Sequence, residues 1–129
     1  MSNSTYLKWI PVQQTYFWTS NVTAFKVGNA TANQYALSTA YNIIFDSGTA
    51  LGYFPHTIGD KIIKKILKGI KHIKFNGRYY CSCDTTLYSS FYLLINGLWL
   101  EISPMTYVMT HSSSKKTSGH YSCVLGFAT

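Results

Sequence analysis

Ile43-Ile44-Phe45-Asp46-Ser47-Gly48-Thr49-Ala50, near the middle of the chain, decides how the rest is read. Three bulky apolar residues run straight into an aspartate, a residue type almost never buried without a partner. The apolar run has the composition of a buried strand, and the five residues after it form a tight small-residue turn. Gly48 marks a point where the backbone turns sharply or approaches another group closely. Two readings of Asp46 are open at this stage. It caps the amides of a local turn, or it is a carboxylate set at a strand end to do chemistry.

Working upstream, residues 35–45 have β-type composition and residues 29–34 are a polar loop. Val22-Thr23-Ala24-Phe25-Lys26-Val27-Gly28 alternates as a half-buried strand does. Residues 7–18 read as extended structure interrupted at Pro11. Downstream, Pro55 precedes Thr57, which reads as a helix N-cap, with Asp60 near the positive helix end. Lys61, Lys64, Lys65, Lys68, Lys71 and Lys74 interleave with isoleucines and Leu67 at helical spacing. The spacing predicts a helix to about Ile70 or Ile73, weakened in its last turn by Gly69. Strands are expected over 78–83, 90–95, 98–102 and 105–110, with Asn96-Gly97 as a two-residue hairpin turn. His111 to His120 is a Ser- and Lys-rich loop. The chain is expected to be mainly β with one amphipathic helix, in a single domain of residues 1–129.

Charge narrows the functions. Eleven Lys and Arg stand against four acids, a net charge of +7. Such a balance suits a nucleic-acid patch, but six of those lysines belong to the one amphipathic stretch. They read as its solvated face, so no nucleic-acid partner is expected. No apolar stretch approaches the ~20 residues of a membrane span. Residues 1–20 lack the basic segment and apolar run of a signal peptide. Three N-glycosylation acceptor patterns, at Asn3, Asn21 and Asn29, lean towards a secretory, glycosylated protein whose targeting sequence lies outside this chain.

The chemical inventory is small. Asp46, Asp60, Asp84 and Glu101 are all the acids, so a site of paired carboxylates is hard to build within one copy. Asp60, Asp84 and Glu101 fall in helix-start, loop and strand contexts, unlike Asp46. Cys81, Cys83 and Cys123 give one bridge and a free thiol, or three thiols. Cys81-Ser82-Cys83 lacks the Cys-x2-Cys spacing of a zinc site, and no metal is expected. His56, His72, His111 and His120 show no ligand spacing and no nucleophile partner.

Asp46-Ser47-Gly48-Thr49-Ala50 after an apolar run resembles the active-site segment of pepsin-like aspartic proteases. The flanks resemble that family's C-terminal lobe in a single consistent order. Leu7 to Val12 resembles its opening stretch, and Phe17-Trp18 with Val22–Val27 its aromatic pair and strand. Leu51 to Pro55 and the helix, Cys83 to Leu87, Phe91 to Gly97, Ile102 to Tyr107 and Cys123 to Phe127 continue the match. Tyr88 departs from it, standing where the family often has Pro, and the loop from His111 to His120 is longer than usual.

The resemblance implies one lobe of a pepsin-like acid-protease β-barrel, with Asp46 as its catalytic carboxylate. It implies that Ser47, Gly48, Thr49 and Ala50 form the active-site loop and contact substrate. It also implies a Cys83–Cys123 bridge, with Cys81–Cys123 as the alternative, and core or interlobe places for Trp9, Trp18 and Trp99. The family's chemistry needs two carboxylates sharing one proton, because two negative charges that close cannot both persist. The second aspartate is therefore expected from an N-terminal lobe outside this chain, or from a second copy about a two-fold axis. The family's closing Gly-Asp strand is likewise expected outside the chain. The implied function is aspartic endopeptidase, with a polypeptide substrate, no cofactor and a secreted, lysosomal or vacuolar location. The isolated chain is expected to be inactive. A non-catalytic pepsin-fold binding module, a homodimeric protease and a basic nucleic-acid or membrane-surface protein are the competing readings.

Overall fold

Val, Thr, Tyr and Ile, whose side chains suit a pleated half-buried surface, supply nine of the twenty residues in the two longest strands. The structure, a computed structural model, describes residues 19–29, 31–44, 52–110 and 122–129. Strands β1 (Thr19–Gly28) and β2 (Tyr35–Ile44) run antiparallel. Their register opens with Thr19 opposite Ile44 and slips between Val22 and Ala24, so that Phe25 faces Tyr35. The two rings stack with centroids 5.1 Å apart. The sequence predicts clean alternation here, but Ala24, Phe25 and Lys26 are buried in succession. Both faces of β1 are covered at this point. Phe25 enters the core, while Lys26 lies under aromatic rings on the opposite face.

The other elements follow in order. They are β3 (Gly52–Tyr53), α1 (His56–Ile66), β4 (His72–Phe75), β5 (Arg78–Cys81), β6 (Ser90–Ile95) and β7 (Leu98–Ile102). A one-turn helix α2 (Pro104–Tyr107), β8 (Val108–Thr110), β9 (Cys123–Leu125) and β10 (Phe127–Ala128) complete the described set. One sheet has the order β2-β1-β6-β7 and a second the order β4-β5-β9-β8. β3 and β10 form a short parallel pair. The β6–β7 turn has positive φ at both Asn96 and Gly97, as a type I′ hairpin requires.

Three local expectations are corrected. The helix ends at Ile66, not at Ile70 or Ile73, because Gly69 adopts φ +77 and turns the chain out of the helical path. His72–Phe75 then pairs with β5 across Asn76-Gly77, a second hairpin with φ of 51 and 75. Thr57 is not the N-cap. Pro55 holds that position without a side-chain cap, and the Thr57 hydroxyl instead lies 3.1 Å from the Tyr41 hydroxyl. Residues 105–110 are not one strand. Pro104 opens a helical turn, as a first-turn proline can, and only Val108–Thr110 is extended.

α1 buries Ile58, Ile62, Ile63 and Ile66, an apolar stripe at i, i+4, i+5 and i+8. Two ties fix it to β2: the Tyr41–Thr57 contact and Lys65, whose Nζ lies 4.7 Å over the Tyr35 ring. Beneath the stripe, Phe25, Phe91, Leu93, Ile95, Leu125 and Phe127 fill the core. Phe54, Phe91, Tyr107 and Phe127 meet edge-to-face or tilted, with centroids between 5.3 Å and 5.9 Å. Each such pair adds about 0.5–1.5 kcal/mol beyond its area burial.

Candidate active site

Asp46, Ser47, Gly48, Thr49 and Ala50 fall in residues 45–51, outside the described residues. The stems on either side are described. β2 ends at Ile44, paired with Thr19, so the chain reaches Phe45-Asp46 from a strand held by the main sheet. Thr19 and Ser20 beside this stem are each 2% exposed, and the Thr19 hydroxyl is buried with no hydrogen-bond partner among the described residues. The chain leaves through β3. There the Gly52 N–H donates to Gly126 O at 2.9 Å, and the Phe54 N–H donates to Ala128 O at 2.9 Å. Phe54 then anchors the exit stem in the aromatic cluster.

Gly126 makes this exit possible. A Cβ there would meet Met109 Sδ at 2.8 Å and Tyr107 O at 3.1 Å. The glycine N–H instead donates to Tyr107 O at 2.6 Å, and β10 passes close enough to pair with β3. At the surface beside the stems, Ile44 is 54% exposed and Tyr53 69% exposed. Large apolar side chains thus stand open on both sides of residues 45–51.

The other acids have partners of their own. Asp60 accepts from the Thr129 hydroxyl at 3.2 Å, and Glu101 accepts from the Ser90 hydroxyl at 2.8 Å. Asp84 caps the 3-10 turn Thr85–Leu87, accepting from the Thr86 N–H at 3.1 Å and hydroxyl at 2.6 Å. These bonds favour its charged form and lower its pKa. Cys83 and Cys123 are joined in a disulfide, and Cys81 is a buried free thiol. His56 and His72 are exposed, and His72 Nδ1 lies 2.8 Å from Ile70 O. His111 and His120 are outside the described residues, as are Trp9 and Trp18. A groove of about 530 Å³ lies between α1 and the β4–β5 hairpin, walled by Lys64, Lys68, His72 and Lys74. Neither Cys83 nor Cys123 lines it.

Sequence reasoning missed Lys26. It is 7% exposed on the sheet face away from the core, with Nζ 4.2 Å over the Trp99 ring and 5.0 Å over Tyr92. Trp99 is therefore a cover for Lys26 and not a core residue. The available signal was a lysine inside an otherwise apolar alternating strand. Also missed were two tyrosines. Tyr88 donates to Ser82 O and Tyr107 to Ser89 O, both at 2.6 Å. Burial raises the pKa of both.

A mainly β unit in which a long strand and a short parallel pair hold the two ends of an Asp-Ser-Gly-Thr segment has the build of an acid-protease lobe. Residues 2–129 match the family model described as eukaryotic aspartyl protease, and the chain belongs to that family. It is 28% identical over 109 residues to gastricsin of Mus musculus, covering 84% of this chain and 27% of that protein. It is 26% identical over 110 residues to a probable aspartic-type endopeptidase of Aspergillus fumigatus, covering 85% of this chain and 24% of that protein. The chain thus spans about a quarter of the length of the curated relatives it matches.

Proposed function

We propose that the chain is the C-terminal lobe of an aspartic endopeptidase and supplies one catalytic carboxylate, Asp46. One observation carries the reading. The family match spans residues 2–129, and within it Asp46-Ser47-Gly48-Thr49 begins two residues after Ile44, the last residue of β2. In the proposed reaction Asp46 faces a second aspartate from an N-terminal lobe, and the pair shares one proton. The ionised member takes a proton from a water held between them, and that water attacks the scissile carbonyl. The protonated member gives its proton to the developing oxyanion. The two titrations belong to the pair and to neither residue alone. Gly48 and Thr49 hold the carboxylate in place, Ser47 supports the contact between lobes, and the loop through Ala50 binds substrate backbone. The substrate is a polypeptide, and the reaction needs only carboxylates and water. A secreted, lysosomal or vacuolar location fits the bridge and the glycosylation patterns.

The test is peptide cleavage at acidic pH, with the purified chain alone and joined to an N-terminal aspartyl-protease lobe. The chain alone is expected to show little or no turnover, and the joined form to cleave. Asp46→Asn in the joined form is expected to lose roughly 10³-fold or more. Turnover by the chain alone that Asp46→Asn abolishes would replace this reading with a two-fold dimer. Turnover untouched by Asp46→Asn would remove Asp46 from the mechanism.

A further inference from the structure

Cys81 is 0% exposed in β5 and lies directly opposite Cys123 of β9 in the antiparallel ladder. Residues so opposed project to the same face of a sheet. Their Cα atoms stand about 4.5–5.5 Å apart, inside the range of about 4.4–6.8 Å that a disulfide spans. Cys123 is nevertheless bonded to Cys83, two residues past Cys81, with Cα atoms 5.2 Å apart. One buried half-cystine therefore has two neighbours at bridging distance. Cys81 lies inside, and Cys83 lies on the surface.

We propose that these three cysteines form an exchangeable set, in which the bridge passes from Cys83–Cys123 to Cys81–Cys123 and frees Cys83 as a surface thiol. Cys81 gives up its proton and attacks Cys123 Sγ. The Cys81–Cys123 S–S bond forms as the Cys83–Cys123 bond breaks. The electron pair leaves on Cys83 Sγ, which takes up a proton. Thiol and disulfide counts are the same before and after, so no oxidant or reductant is consumed. Chain entropy does not choose between the bridges. The present loop joins residues 40 apart, and the alternative is two residues longer. What separates the two forms is exposure. The present form hides its thiol among core residues, where Tyr88 is its side-chain partner. The exchanged form presents its thiol beside the Asp84-capped turn, open to oxidation, alkylation or pairing with another chain. Burial also pushes the Cys81 thiol pKa up, which keeps the attacking thiolate scarce until the β5–β9 pair opens. The device is a slow switch set by local opening of that short ladder.

Two measurements test it on the full chain. The oxidised protein is incubated at mildly alkaline pH, labelled with N-ethylmaleimide, digested without reduction and fragmented between Cys81 and Cys83. The label is expected to appear on Cys83, together with a Cys81–Cys123 linked peptide, in a share that grows with incubation. A label confined to Cys81 at all times overturns the proposal. In the second, thiols of Cys83→Ser are counted in denaturant. The expected count is zero, with Cys81 bridged to Cys123; two free thiols overturn the proposal. If that variant does not fold, the labelling of the wild-type chain decides alone.

Discussion

Gly59 sits inside α1, where exchanging glycine for alanine ordinarily gains about 1 kcal/mol. Here a Cβ would press on the Thr129 methyl and stand 2.9 Å from Phe54 Cβ. Phe54 cannot retreat, since Phe91 and Phe127 pack its ring from two sides. Overpacking of this kind costs about 1–3 kcal/mol, so Gly59→Ala is expected to lower the thermal midpoint. A raised midpoint would mean that residues 127–129 do not pack against α1. Asp84 offers a pH test at the same scale. Its hydrogen bonds to Thr86 lower its pKa below the ordinary 3.8. A depressed folded-state pKa stabilises at every pH above the unfolded value, and the gain is lost as pH falls through the folded value. The capped turn is thus expected to outlast the ordinary titration of aspartate. A carboxyl titration followed by NMR should place the Asp84 midpoint below 3.8, and a midpoint at or above it removes the cap. Asp84 was legible as a loop residue, because an aspartate before two threonines can bond the amides just ahead of it. Thr57 was misread as a cap because its partner, Tyr41, lies 16 residues away on another element.

Among the elements, legibility followed the range of the forces that shape them. The Asn96-Gly97 hairpin was plain because the turn itself demands positive φ at both residues. The equivalent Asn76-Gly77 hairpin went unread because lysine and isoleucine keep a helical rhythm up to Lys74. The rhythm continues past the true end of α1 because β4 also carries alternating charge. A single substitution separates the two descriptions. Were residues 57–73 one helix, Gly69→Ala would stabilise it by about 1 kcal/mol. Gly69 instead adopts φ +77 with open space around it, so the penalty is conformational and not steric. An alanine forced left-handed there costs about 1–2 kcal/mol. Urea unfolding of Gly69→Ala should show that loss, and a gain would restore the longer helix. β1 teaches the complementary point. Its alternation failed at Lys26 because the covering rings, Tyr92 and Trp99, come from two strands about 70 residues further along. Removing the cation from that partly desolvated site, as in Lys26→Ala, should cost about 1–2 kcal/mol.

At the scale of the whole molecule, the parts of the chain nearest Asp46 in sequence are tied to parts near its end. β3 follows the candidate active-site segment and pairs with β10, and β9, just before it, carries Cys123. The candidate site reads as a short local motif, whereas the pairing that holds its exit stem joins Gly52 to Phe127, more than 70 residues away, and left no local trace. The disulfide is the one covalent closure of this arrangement among the described residues. A loop of 40 residues closed by a bridge gains about 4 kcal/mol through the lost freedom of the unfolded chain. Domains of ordinary stability unfold at a cost of about 5–15 kcal/mol, so the bridge supplies a large share. Cys123→Ser removes the partner common to both possible bridges and should therefore lose that whole amount. Cys81→Ser leaves the present bridge intact and removes only a small buried thiol. The two variants should differ by several kcal/mol in denaturant unfolding under non-reducing conditions, and should converge once a reductant is added. Equal stability in the oxidised state would mean that the ends of β5 and β9 are held by packing alone. The exit stem of the candidate segment would then owe its position to the Phe54–Phe91–Phe127 cluster instead.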